Sequence, residues 1–304
     1  MKLFRKPFAW AICYSLLLTL FASYLLLDTF VIPHSQQTII PASSAASGSQ
    51  SSAKTASQSD ANGVFTENSY QDDNLSISIS TQQKDNTQIY IADIQLSSIE
   101  YLKTALAQNT FGRNIKQTTS SMAEEHNAIF AINGDYYGFR NSGFVLRNGT
   151  LYRSTASSRD ALVIWGDGSF ETVSETDTDA QTLLDNGALQ VFSFGPALLQ
   201  NSSICVDQNT EVDQAKNSNP RTAIGIINPL HYLIIVSDGR TNQSEGLSLY
   251  QLAQVFQEQG CSLAYNLDGG GSSTMWFNGS IVNVPTDGRN LGERQVSDIV
   301  YIGY

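Results

Sequence analysis

The chain has 304 residues, 28 acidic against 17 basic, for a formal net charge of −11, and 41% of its residues are apolar. That apolar share supports a packed core, while the acidity repels nucleic-acid backbones and anionic lipid surfaces and excludes a general nucleic-acid-binding role. It also fits badly with an anionic substrate unless basic residues gather at the site.

Residues 1–7 form a basic flank whose only charges are Lys2, Arg5 and Lys6. From Phe8 to Leu27 run 20 uncharged, mostly apolar residues, and past Asp28 the apolar character continues to Ile32. At about 1.5 Å per residue this run spans the roughly 30 Å hydrocarbon core of a bilayer. Residues 8–32 are therefore expected to be a transmembrane anchor, single-pass in a bacterial cell membrane. The basic flank stays cytoplasmic and the rest lies outside. The competing reading is a cleaved signal peptide, but no small-x-small cleavage site directly follows Leu27. Residues 33–69, rich in Ser, Ala and Gln, cannot bury enough apolar surface to offset the entropy of ordering, and read as a disordered tether. The folded domain is expected over 70–304.

Within it, Leu75, Ile77 and Ile79 alternate with serines, which is strand periodicity, and Ile89 to Leu96 reads as a second strand. Ser98 to Gln108 and Thr118 to His126 read as helices. Ala128 to Asn133 is a short apolar strand. Hairpins are expected around Asn148-Gly149, Asp167-Gly168, Asn228-Pro229 and Asn278-Gly279, where paired turn signals separate apolar runs. Leu249, Leu252, Ala253 and Phe256 fall on one helical face between Ser248 and Gly260. Leu263 to Leu267 is a buried strand, and Val296 to Ile302 closes the chain as another. The class is α+β: a mixed, largely antiparallel β-sheet with a few packed helices, behind an N-terminal transmembrane helix.

Several strand ends carry polar residues beside glycine. The richest is Asn266-Leu267-Asp268-Gly269-Gly270-Gly271-Ser272-Ser273-Thr274. Three glycines in a row weaken folding unless the chain turns sharply or something must approach the backbone. Their amides can form an anion-binding nest, with Asp268 at its rim; otherwise the segment is a tight turn capped by Asp268. No lysine follows, so it is not a Walker A loop. Asn133-Gly134-Asp135-Tyr136-Tyr137 repeats the pattern. Arg221 and Thr222 open an apolar strand, where a guanidinium can fork onto phosphate or form a surface ion pair. Asp238-Gly239-Arg240 ends another strand, and Glu293-Arg294 precedes the last one. The chain's three histidines, His34, His126 and His231, lie in the tether, on a helix and in a turn. Ser-His-Asp catalysis through Ser272 or Ser273 therefore lacks a base. Cys205 and Cys261 either pair or stand as separate buried thiols, and the absence of a Cys/His cluster argues against structural zinc.

The segment Asn266 to Thr274 resembles the hallmark of the phosphodiester glycosidase family, whose bacterial members are often labelled exopolysaccharide biosynthesis proteins. Asn133 to Tyr137, Phe194-Gly195-Pro196, Pro220 to Gly225, Asp238 to Arg240 and Ser244 to Leu247 match in the family's order. The resemblance implies hydrolysis of a sugar-1-phosphodiester on a cell-surface glycan, wall polymer or glycolipid. Asp268, Asp135 and Asp238 are then the candidate catalytic carboxylates. Arg221, Arg240, Arg294, Thr222, Ser272, Ser273 and the amides of Gly269, Gly270 and Gly271 are candidates for the phosphate, and Asn133 and Asn266 for sugar hydroxyls. No cofactor is required; a divalent cation near the carboxylates is compatible, but no spacing demands one. The alternative is a non-enzymatic glycan- or wall-binding module, presenting Tyr136, Tyr137 and Trp276 as sugar platforms. Convergence of Asp135, Arg221, Asp238 and Asp268 separates the two.

Overall fold

The computed structural model describes residues 8–38, 63–210 and 218–304. The apolar run forms the helix Ala9–Phe30, and Trp10–Phe30 is long and apolar enough to cross a membrane. The basic flank lies outside the described residues, as does 39–62 of the expected tether. The rest of that stretch departs from expectation. His34–Thr38 is a strand paired antiparallel with Thr110–Arg113, and Val64–Phe65 and Ser69–Gln71 are strands at one edge of a large sheet. His34–Thr38 joins through backbone hydrogen bonds, which polar residues form as well as apolar ones, so no periodicity announces it. Gly112 permits the pairing, because a Cβ there would run into the His34 carbonyl oxygen.

The fold is α+β, and the strand pairings among the described residues are antiparallel. Nine strands run in the order Ser203–Ile204, Ala197–Gln200, Leu263–Asn266, Arg221–Asn228, His231–Ser237, Thr87–Leu96, Leu75–Lys84, Ser69–Gln71 and Val64–Phe65. A five-stranded sheet has the order Ser280–Ile281, Met275–Phe277, Phe130–Asn133, Asp298–Ile302 and Leu102–Leu106. A second five-stranded sheet is built on the hairpins Val145–Arg147/Thr150–Arg153 and Asp160–Trp165/Phe170–Ser174, with Ala188–Phe192 between them. The core fills the space between the sheets: Ile77, Ile94 and Ile234 from the first meet Ile132 and Val300 from the second and Leu162 and Phe192 from the third.

The helix Leu249–Glu258 covers the other face of the large sheet with Leu252, Ala253 and Phe256. A reciprocal Ser248–Gln251 capping box starts it. Thr119–Glu125 is helical as expected. Ser98 to Gln108 is not: only short 3₁₀ turns flank a strand, Leu102–Leu106, that pairs with Asp298–Ile302. A vacant sheet edge overrides local preference there. Asn148 and Asn278 take the positive φ, 48° and 45°, that the hairpin turns demand.

Candidate active site

Two strand ends meet where the large sheet borders the five-stranded sheet. Phe130–Asn133 delivers Asp135 and Leu263–Asn266 delivers Asp268. The loops are stitched together: the Asn133 side chain donates to the Asp268 carbonyl at 2.6 Å, and the Asp268 amide donates to the Gly134 carbonyl at 3.2 Å. Both carboxylates line a cleft of about 460 Å³, together with Ser272, Arg294, Lys116 and the rings of Tyr136 and Phe139. Those rings stack on each other at 4.6 Å and 16°, and Lys116 lies 5.7 Å over Phe139.

Asp135 is held rigidly. Its oxygens accept the amides of Tyr136 at 2.6 Å and Ser193 at 2.8 Å, and its own amide donates to Asp298 at 2.7 Å. Arg147 braces the group from behind, 2.8 Å from the fully buried Asp298 and 3.7 Å from Asp135. Burial pushes the Asp298 carboxyl up to about 6; Arg147 opposes the rise and Asp135 adds to it. Asp268 is 9% exposed. Its carboxyl is also pushed up to about 6, mainly by burial and further by Asp135, against the Ser272 hydroxyl and the charges of Arg294 and Arg140. A carboxyl held there exchanges a proton near neutral pH.

The other sequence candidates are distributed differently. Arg294 reaches the cleft, paired with Asp287 at 2.6 Å. Arg240 donates to Asn219 at 3.0 Å and lies under Gly270, while Arg221 is buried beside Gly269 with its Nε on the Leu247 carbonyl at 2.9 Å. Both stand behind the glycine loop and do not line the cleft. Asp238 lines a separate cavity, where it accepts from Tyr90, Asn283 and Val284; burial raises its carboxyl. Asn133 and Thr222 are buried and bonded to each other at 2.8 Å, and Asn266 donates to the Gly195 carbonyl at 2.8 Å. These three knit the strand ends. The Gly270 amide donates to Pro220 at 2.8 Å and the loop curls into a 3₁₀ turn, Gly270–Ser272, so that amide is not offered to an anion. Ser273 is buried, with no hydrogen-bond partner for its hydroxyl. Of the aromatic candidates, Tyr136 faces the cleft, whereas Tyr137 and Trp276 are buried.

Residues 126–303, more than half of the chain, match the sequence profile of the phosphodiester glycosidases. The chain belongs to that family. It is 33% identical over 202 residues to the SPbeta prophage-derived uncharacterized protein YomE of Bacillus subtilis, covering 64% of this chain and 31% of that protein. It is 28% identical over 215 residues to human N-acetylglucosamine-1-phosphodiester alpha-N-acetylglucosaminidase, covering 62% of this chain and 40% of the human one. The chain thus spans well under half the length of these curated relatives. Among solved structures, the zebrafish N-acetylglucosamine-1-phosphodiester alpha-N-acetylglucosaminidase catalytic domain auto-inhibited by pro-peptide shares the fold, at TM-score 0.60 and 22% identity over 76% of this chain and 83% of that one. A putative exported protein of Burkholderia pseudomallei shares it at TM-score 0.56 and 15% identity, over 71% of this chain and 74% of that one.

One residue of this cleft, Lys116, carries no mark in the sequence. It is a single charge in a loop, whereas Phe139 ends the polar, glycine-flanked segment Asn133 to Phe139, where its ring reads as packing down. Glu293 lines the cleft and accepts the Ser120 amide at 3.0 Å at the start of the helix Thr119–Glu125. The two cysteines are both free, Cys261 buried and Cys205 exposed; the expectation of two buried thiols holds for one. Among the described residues no cluster of three or more His, Cys, Asp or Glu is arranged to hold a metal ion.

Proposed function

We propose that the chain is a membrane-anchored, extracytoplasmic hydrolase that releases sugar from a sugar-1-phosphodiester on a cell-surface glycan, wall polymer or glycolipid. One observation carries the reading: Asp135 and Asp268, from motifs far apart in the sequence, line one cleft with a stacked aromatic pair and two cations, while Arg221 and Asp238, expected to converge with them, lie outside it. The names of the mammalian relatives, glycosidases of a sugar-1-phosphodiester, support the reaction class. The apolar helix Ala9–Phe30 supports the anchor.

In this reading the sugar lies on Tyr136 and Phe139, and its phosphate lies toward Arg294 and Lys116. Water adds to the anomeric carbon, and the bond from that carbon to the phosphate oxygen breaks. The electron pair leaves with the phosphomonoester, and a carboxylate takes the proton from the water. A phosphodiester departs readily, so stabilising its charge contributes more than protonating it. Asp268, with its carboxyl near 6, is the better placed to accept a proton at neutral pH. Asp135, fixed by two amides, faces the same cleft. No cofactor is needed for these steps.

The experiment is incubation of the purified full chain with a panel of sugar-1-phosphodiesters, watching for free sugar and phosphomonoester together. Release of both from at least one member is expected. Binding of the panel without turnover would sink the hydrolase reading in favour of a glycan-binding module.

A further inference from the structure

The apolar helix is not separated from the domain by a flexible spacer. Only Val31, Ile32 and Pro33 lie between the helix Ala9–Phe30 and the strand His34–Thr38. The Asn114 side chain donates to the carbonyls of Thr29 at 3.1 Å and Ile32 at 3.0 Å. The Thr29 carbonyl is among those that a helix C-terminus leaves without partners, and Ile32 lies just past the helix end. Asn114 is buried and sits at φ 57°. On the other side of the joint, the His34 ring lies 3.1 Å from the Asp28 carbonyl.

From this clamp the path to the cleft is short. The Asn114 amide donates to the Gly138 carbonyl at 3.2 Å, within the turn Tyr137–Phe139 that follows Asp135. Two residues beyond Asn114, Lys116 lines the cleft itself. A 22-residue helix is about 33 Å long, which fills a hydrocarbon core of roughly 30 Å and brings its last turn to the membrane surface. The groups bonded to that turn therefore stand in the headgroup layer. The small cavity beside the joint is lined by Gln36, Arg113, Arg140 and Arg153. In a chain with a net charge of −11, three arginines thus gather beside the joint, and basic groups near a bilayer are attracted to anionic headgroups.

We propose that the cleft acts on a glycosyl phosphodiester whose aglycone is a lipid in the adjoining leaflet, and that the Asn114 clamp sets the cleft at the height of that lipid's phosphate. The proposal rests on the hydrolase and anchor readings above. Hydrolysis would leave the lipid phosphomonoester in the membrane and release the sugar to water.

The test uses the full chain in vesicles containing phosphatidylglycerol, with two diesters of one sugar-1-phosphate, a membrane-held long-chain alkyl diester and a soluble methyl diester. The alkyl diester should be preferred by at least about tenfold, because the clamp holds the cleft at the height of the membrane-held phosphate and a positioned substrate reacts faster. The loosened variant combines Asn114→Gly, which keeps the positive φ, with about 20 Gly/Ser residues inserted after Pro33, an added reach of about 25 Å. It should lose the preference while hydrolysing the methyl diester at the parent rate. No preference in the parent, or a preference kept by the loosened variant, overturns the proposal. If the parent hydrolyses neither diester, the hydrolase reading has failed, and the height is decided separately by a nitroxide at Gln295, which also lines the cleft, in Gln295→Cys with Cys13→Ala and Cys205→Ala. Relaxation by a nickel-chelating lipid in the parent, lost on loosening, supports a cleft docked at the surface. No relaxation in the parent overturns it.

Discussion

Asp268 shows how burial tunes a carboxyl. Its carboxyl is held near 6 rather than at the 3.8 of a free side chain, chiefly because the folded chain removes it from water. kcat/KM for a diester should therefore rise through a limb centred near pH 6. Asp268→Asn should abolish that limb and lower kcat by at least about a hundredfold; a surviving limb would assign it to Asp298, whose carboxyl is also near 6. Stability should run the other way. A carboxyl whose folded value lies above its unfolded value contributes fully below about pH 4, and that contribution is lost as pH rises through 6. Melting temperature should fall over that window, and fall less in Asp268→Asn. Arg294→Ala should lower kcat/KM for a diester by about ten- to a hundredfold, the worth of a charged hydrogen bond, and spare a neutral aryl glycoside if one is accepted. Chelation with EDTA should leave turnover unchanged. Asp135, Asp268, Ser272 and Arg294 were legible as polar residues at glycine-flanked strand ends. The same pattern named Asn133, Asn266, Thr222 and Arg221, which are buried and tie the loops together. Residue type alone does not separate a group facing the substrate from one holding its neighbour.

The glycine run makes the same point for an element. Its three glycines answer to different neighbours rather than to one anion. A Cβ at Gly269 would lie 3.0 Å from the Pro220 carbonyl oxygen, one at Gly270 2.8 Å from the Arg240 guanidinium, and one at Gly271 2.7 Å from both the Arg294 guanidinium and the Asp287 carboxylate. Gly270 also has φ 64°. Gly271→Ala should displace the partly exposed Arg294–Asp287 pair, raising KM for a diester while the melting temperature moves little. Steady-state kinetics beside a thermal melt would check it. Gly270→Ala should cost stability as well, by about 1 to 2 kcal/mol for a non-glycine residue in the left-handed region. Hairpins were readable because Asn-Gly and Asp-Gly encode their own turn geometry. Leu102–Leu106 and His34–Thr38 were not, since each is created by the strand it pairs with.

Across the whole molecule, the class and the order of its main strands could be read from the sequence, but the start of the domain could not. The described structure already engages the chain at His34, before the composition turns apolar. Cys205 offers a test of topology. It is exposed, while Cys261 is buried. In intact cells without an outer barrier, a membrane-impermeant maleimide should label Cys205, and Cys261 should react only after unfolding. Protection of Cys205 until lysis would place the domain on the other side.

The seam that carries the two carboxylates has a consequence for assembly. Asp135 belongs to the smaller sheet and Asp268 to the larger, and neither sheet owns the cleft. Hairpins such as Leu75–Lys84 with Thr87–Leu96 form locally, but both sheets are closed by distant strands, Phe130–Asn133 against Met275–Phe277 and Asp298–Ile302 in one and Thr87–Leu96 against His231–Ser237 in the other, which is the slow class of contact. During refolding from urea, far-UV dichroism should therefore recover ahead of turnover. Two fragments cut at the exposed turn of residues 207–209 would carry one carboxylate each, and should each be inert and regain activity only on mixing, which would make this cleft suited to a complementation reporter.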